Sequence, residues 1–163
     1  ADGLAAAAGR FTLSPHRLSE VRRIGAVSFW DDSKATNFAS ALAAVESFRE
    51  PVFWIGGGAP KGGDVAGFAR RLGPRVEAAF LYGAAGQSHG GLFRRHCARY
   101  QGCADFSEAV RAAAKAAIGA GGGAVLLSPG FASFDQFRSY AERGKCFTTI
   151  VLGLKDGARK LNP

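Results

Sequence analysis

The chain has 163 residues, 47% of them hydrophobic, with 21 Lys and Arg against 13 Asp and Glu, giving a formal charge of +8. One domain of this length and apolar content buries a substantial core, which excludes a disordered chain. No apolar run approaches the roughly 18 to 20 residues of a membrane span, and Leu4-Ala5-Ala6-Ala7-Ala8 lacks the basic leader and hydrophobic length of a signal peptide, so a soluble, cytoplasmic protein without a membrane partner is expected.

Residues 1–13 are rich in Ala and Gly and read as a linker or residual N-terminal segment, with the ordered domain at 14–163. After Pro15-His16-Arg17-Leu18, a strand is expected at Val21 to Ile24, then a turn at Gly25 and a hairpin partner from Ala26 to Trp30. Thr36 or Asn37 is placed to cap a helix running to about Phe48, whose Phe38, Ala41, Leu42 and Val45 share one face. Pro51 to Ile55 is an apolar strand ending in Gly56-Gly57-Gly58. Beyond it the pattern predicts helix Val65 to Leu72, strand Val76 to Tyr82, a helix near Gly91 to Tyr100, helix Phe106 to Ile118, strand Ala124 to Leu127 and helix Phe134 to Phe147. Gly83 to Gln87 reads as a turn and Gly119 to Gly123 as a flexible loop. This alternation predicts an α/β, Rossmann-like, mostly parallel sheet with helices on both faces and an antiparallel edge hairpin, and ligands of such sheets gather at the carboxyl ends of the strands.

Asp31-Asp32-Ser33-Lys34-Ala35-Thr36-Asn37 stands at such an end, bringing carboxylates, an ammonium, hydroxyls and a helix start together, which suits an anionic ligand; the bland alternative is a capped turn facing water. Asp31 and Asp32 are adjacent on a strand, so only one of them can face the ligand. Gly56 to Asp64 is not a P-loop, because glycines and not Ser or Thr follow Lys61; it remains a permissive turn presenting a lysine to a small carboxylate, or a plain loop. A helix N-terminus at Phe134-Asp135 would also suit an anion. Cys97, Cys103 and Cys146 are odd in number and unpaired in spacing, so reduced thiols are expected, with neither disulfides nor a metal site. His89 and His96 have no ligating partner at metal spacing and read as a loop and a helix-face histidine. Basic pairs at Arg22-Arg23, Arg70-Arg71 and Arg94-Arg95 are scattered and without interleaved aromatics, so nucleic acid is not an expected partner.

Four stretches in order, the Pro-His-Arg-Leu at 15–18, the Asp-Ser-Lys-Ala-Thr-Asn at 32–37, Gly57-Gly58-Ala59-Pro60-Lys61-Gly62-Gly63-Asp64 and Leu127-Ser128-Pro129-Gly130-Phe131-Ala132-Ser133-Phe134-Asp135-Gln136-Phe137, together resemble the C-terminal domain of the Mur ligases that add D-glutamate. The resemblance implies ATP-dependent peptide-bond formation in bacterial peptidoglycan precursor synthesis, in which an acyl phosphate on UDP-N-acetylmuramoyl-L-alanine is attacked by the nitrogen of D-glutamate. It implies ATP and Mg²⁺ as cofactors, the metal held mainly by a central domain that, with an N-terminal domain, lies outside this chain, so the domain alone is expected to be inactive. By the same resemblance His16, Arg17 and Asp32 engage ATP, Arg17 through forked donors suited to phosphate oxygens. Lys34 approaches the transferring phosphate, Thr36 and Lys61 hold the D-glutamate carboxylates, and Ser133, Phe134 and Tyr140 complete the amino-acid site; Tyr140 reads equally as a core aromatic beside Phe137.

Departures from the family pattern are Pro60 for Asp, Val65 for Phe and Asp31 for Asn, the first bearing on how Lys61 is oriented, and residues 84–105 show little resemblance. A sister ligase adding another amino acid is disfavoured by the Ser-Lys-Ala-Thr-Asn stretch, and a non-catalytic nucleotide- or anion-binding module is the alternative from another class.

Overall fold

The computed structural model describes residues 14–156; the expected linker at 1–13 and the end of the expected domain, 157–163, lie outside the described residues. Six strands form one sheet: β1 (Ser19–Ile24), β2 (Val27–Asp31), β3 (Val52–Gly57), β4 (Ala78–Tyr82), β5 (Tyr100–Gly102) and β6 (Gly123–Gly130). Their spatial order is β1-β2-β6-β3-β4-β5, with β1 antiparallel to β2 and every other pair parallel. The expected edge hairpin is therefore present, closed by the two-residue Gly25-Ala26 turn between paired Ile24 and Val27.

Five helices cover the sheet: α1 (Phe38–Glu46), α2 (Val65–Leu72), α3 (Gly83–His96), α4 (Phe106–Ala120) and α5 (Tyr140–Leu152). Alternation along the strands divides the core into two layers. Val52 and Trp54 of β3 face α1 to α3, meeting Leu42, Phe68, Leu72 and Phe93. Phe53 and Ile55 face α4 and α5, meeting Phe106, Val110, Phe147 and Val151. A strand buried on both faces is apolar at every position, which is why β3 carries no polar alternation.

Four expectations about these elements are corrected. Gly83–Gln87 is not a turn but the first turns of α3, which ends at His96, and Tyr100–Gly102 is a strand, not the end of a helix. Ala85, Gly90 and Phe93 of α3 are buried, so packing overrides the poor helix propensity of four glycines. Of the Gly119–Gly123 run, Gly119 still belongs to α4, Gly121 is its left-handed cap and Gly123 opens β6, so the run is an ordered connection. Helix α5 starts at Tyr140 and not at Phe134, because Ser139 caps it by accepting from Glu142 N (3.1 Å) while Phe134 to Gln136 form a turn.

The connections position the site. From β2, β3 and β4 the chain leaves toward one face, into α1, α2 and α3; from β6, lying between β2 and β3, it leaves toward the other, into α5. Crevices open at the carboxyl end of β6 where neighbouring connections diverge. Among the described residues no helix is long and apolar enough to cross a membrane.

Candidate functional site

At the end of β2 the two adjacent carboxylates diverge, as their alternation requires, and both hold the segment preceding β1. Asp31 Oδ2 accepts from His16 Nδ1 at 2.6 Å and its Oδ1 from Ser33 N at 2.9 Å. Asp32 Oδ1 accepts from Leu18 N at 3.1 Å and its Oδ2 from Ser128 Oγ at 2.8 Å. His16 (φ 64°) and Leu18 (φ 41°) both adopt left-handed backbone, a costly arrangement for such side chains that these contacts sustain. Helix α5 closes over the first pair so tightly that a Cβ at Gly144 would lie 2.1 Å from His16 Nδ1 and 2.8 Å from Asp31 Oδ2; only glycine fits there.

Between the clasped His16 and Leu18, Arg17 projects to the surface. With Asp32, Lys34, Ala35, Ser40 and Ala44 it lines a cleft of about 370 Å³. Burial pushes the Asp32 carboxyl above its ordinary value of 3.8, outweighing the hydrogen bonds from Ser128 and Leu18 that favour the charge; Asp31 adds to the rise and Arg17 opposes it. A folded-state pKa above the unfolded one means that ionising Asp32 takes stability from the fold as pH climbs above 3.8 through the raised value. Asp32→Asn, which keeps an acceptor for Leu18 N, is therefore expected to match or exceed the parent's denaturant midpoint at pH 7 and to lose that advantage as the pH is lowered toward 4. A lower midpoint at pH 7 would show that the charge itself stabilises the fold.

Lys34 is anchored by its backbone N–H to His16 O (3.1 Å), and its Nζ lies 5.6 Å from the centroid of the Tyr140 ring. Tyr140 also meets the His16 ring edge-on at 6.3 Å. Tyr140 thus faces the site and Phe137 the core, against Phe106 at 5.0 Å. Thr36 and Lys61, 25 residues apart, are brought together by a hydrogen bond from Lys61 Nζ to the Thr36 carbonyl. The loop bearing Lys61 is paired to the loop bearing Ser133 through the bridge between Ala59 and Ala132, Ala59 N donating to Ala132 O at 2.9 Å. Gly58 permits this approach: its φ is +129° and a Cβ would lie 2.1 Å from Ala132 O. Ser133 is buried, whereas the neighbouring Phe134 is 74% exposed, the most exposed large apolar side chain described.

The expected helix N-terminus at Phe134-Asp135 is absent, so those residues offer an anion no helix dipole; α5 starts at Tyr140, capped by Ser139. His89 belongs to α3 and not to a loop, with its ring stacked 6.4 Å from Phe131.

Arg143 is the site residue that sequence reasoning missed. It is completely buried on α5, and its guanidinium donates from Nε to Ser33 Oγ (2.9 Å), from one terminal nitrogen to Ser33 O (2.8 Å), and from the other to Phe131 O (3.1 Å) and Tyr82 Oη (3.4 Å). One side chain thus ties together the ends of β2, β4 and β6. Burial pushes the Tyr82 hydroxyl up to about 12 even with this cation beside it. The available signal was its spacing: Arg143 stands four residues before Phe147 and eight before Val151, in the apolar stripe of α5.

The structure is an α/β sheet with the candidate ligand groups at the carboxyl ends of β2, β3 and β6. Two solved structures of the folylpolyglutamate synthase of Mycobacterium tuberculosis, one complexed with ADP and AMPPCP and one with ADP, superpose at TM-score 0.59 over 87% of this chain and 33% of theirs; at 18% and 17% identity this likeness is one of fold. Among curated proteins the chain is similar to several UDP-N-acetylmuramoylalanine–D-glutamate ligases, and it corresponds to their C-terminal part alone. It is 42% identical to that of Syntrophotalea carbinolica over 144 residues (86% of this chain, 30% of the relative) and 43% identical to that of Nitrobacter winogradskyi over 141 residues (85% and 30%). With that of Pelotomaculum thermopropionicum it shares 40% identity over 162 residues (96% and 34%), a match that takes in residues 84–105. The chain spans about a third of the length of these relatives. No protein-family model matches it.

Proposed function

We propose that this chain supplies the amino-acid site and part of the nucleotide site of a D-glutamate-adding ligase, acting on UDP-N-acetylmuramoyl-L-alanine in the cytoplasm of a bacterium. The observation that carries this reading is the convergence of Lys34, the Thr36–Lys61 pair and the Ser133 loop on the carboxyl ends of three adjacent strands, in a chain related along nearly its whole length to such ligases.

ATP, bound mainly by the part of the enzyme outside this chain, supplies the phosphoryl group that activates the substrate carboxylate. Mg²⁺ is assigned mainly to that other part as well. The groups here fit a nucleotide: Arg17 offers an exposed guanidinium to phosphate oxygens, and Asp32 a carboxylate retained in the cleft against its burial cost. His16, its Nδ1–H given to Asp31, keeps Nε2 for a ligand and stands beside Lys34 and Tyr140. Lys34 neutralises charge on the transferring phosphoryl group. Lys61 and Thr36 bind one end of D-glutamate and Ser133 the other, with Phe134 and Tyr140 walling the amino acid from water.

The test is ADP release by the full-length ligase containing this chain, with D-glutamate and L-glutamate compared. D-glutamate alone is expected to support turnover, and Lys61→Ala to raise its KM about tenfold or more, since a charge-assisted hydrogen bond contributes about 1.5 to 3 kcal/mol. Turnover indifferent to D-glutamate would overturn the reading; an unchanged KM in the variant would overturn the role of Lys61.

A further inference from the structure

The loop between β6 and α5 carries Ser133 and a nearly bare Phe134, yet the two residues that follow are committed to other helices. Asp135 Oδ2 accepts from Ala84 N at 3.2 Å, at the first turn of α3, whose own cap residue Tyr82 provides no side-chain acceptor. Its carboxylate lies against Gly83 so closely that a Cβ there would be 2.1 Å from Oδ2. Gln136 Oε1 accepts from Phe106 N at 3.1 Å, the first N–H of α4. Two otherwise open helix donors are thus closed by adjacent side chains of one loop. The polypeptide then turns back on itself, Phe137 N donating to Ser133 O at 2.9 Å. On the other side Ala132 O is held by Ala59 N. Ser133 and Phe134 are therefore fixed from both directions, while 74% of the Phe134 surface stays in solvent.

From this geometry we infer that Asp135 and Gln136 are positioning residues for the amino-acid substrate: by clamping the loop onto α3 and α4 they hold Ser133 and Phe134 in place before D-glutamate arrives. The inference rests on the proposed function. Its effect is on substrate binding, because a pre-ordered loop spares the ligand the entropy of ordering it. The cleft at Arg17 and Asp32 shares no residue with the clamp.

In the full-length ligase the double variant Asp135→Ala with Gln136→Ala is expected to raise the KM for D-glutamate about tenfold, with the KM for ATP within about twofold of the parent. Asp135→Asn and Gln136→Glu, which keep an acceptor oxygen, should restore the parent KM. Amide hydrogen exchange should accelerate at Ala84 and Phe106 in the double variant. An unchanged KM for D-glutamate, or equal rises in both KM values, would overturn the inference while leaving the proposed function standing. A parent enzyme with no D-glutamate-dependent turnover would overturn both, and the exchange data would still report whether the clamp orders the loop.

Discussion

Replacing Arg143 by Met is expected to destabilise the domain by about 3 to 5 kcal/mol, lowering the thermal midpoint by roughly 10 °C, as unfolding of the full chain in denaturant and by heat will measure. The methionine fills most of the volume but donates nothing, so Ser33 O and Phe131 O lose a buried charged donor. The described ion pairs give the buried guanidinium no carboxylate partner; four neutral oxygens hold the charge. Arg143→Lys should recover little, because one ammonium cannot span three strand ends in the geometry of a planar fork. A loss below about 1 kcal/mol in the Met variant would show that these oxygens find other partners, and that Arg143 does not unite the strand ends.

Under the proposed function, Lys34→Ala in the full-length protein is expected to lower kcat by about a hundredfold to a thousandfold while leaving the fold intact. The side chain is half-buried and makes no hydrogen bond that the fold depends on; its ammonium lies over Tyr140 at the rim of the cleft shared with Arg17 and Asp32. The backbone bond from Lys34 N to His16 O survives in alanine. The loss should therefore appear in kcat and not in the unfolding midpoint, the signature of a charge used in the transition state. A kcat within threefold of the parent would remove Lys34 from the catalytic groups.

The candidate site was legible where local chemistry pointed to it. Cap residues, glycines and charged side chains at the ends of β2 and β3 announced strand-to-helix junctions, and the structure places Lys61 on Thr36 and Tyr140 on Lys34. A helix start at Phe134 is what the sequence pattern predicts, although Ser139 and Glu142 carry the capping signal of the helix that forms. Strand β5, three residues with an exposed edge, has too little apolar pattern to be read, and exists because Tyr100 to Gly102 pair with β4.

From sequence alone came the α/β class, the edge hairpin, the two-sided burial of the central strand and the residues gathered at strand ends, because periodicity, caps and turns are properties of neighbours in the chain. The tertiary structure alone decided that α3 would form through a glycine-rich stretch, since burial against the sheet supplies what propensity lacks. It likewise decided that Arg143 would join three strand ends and that Asp135 and Gln136 would close two distant helices, because those partners stand 12 to 110 and 30 to 51 residues away and meet only when the sheet has brought them together.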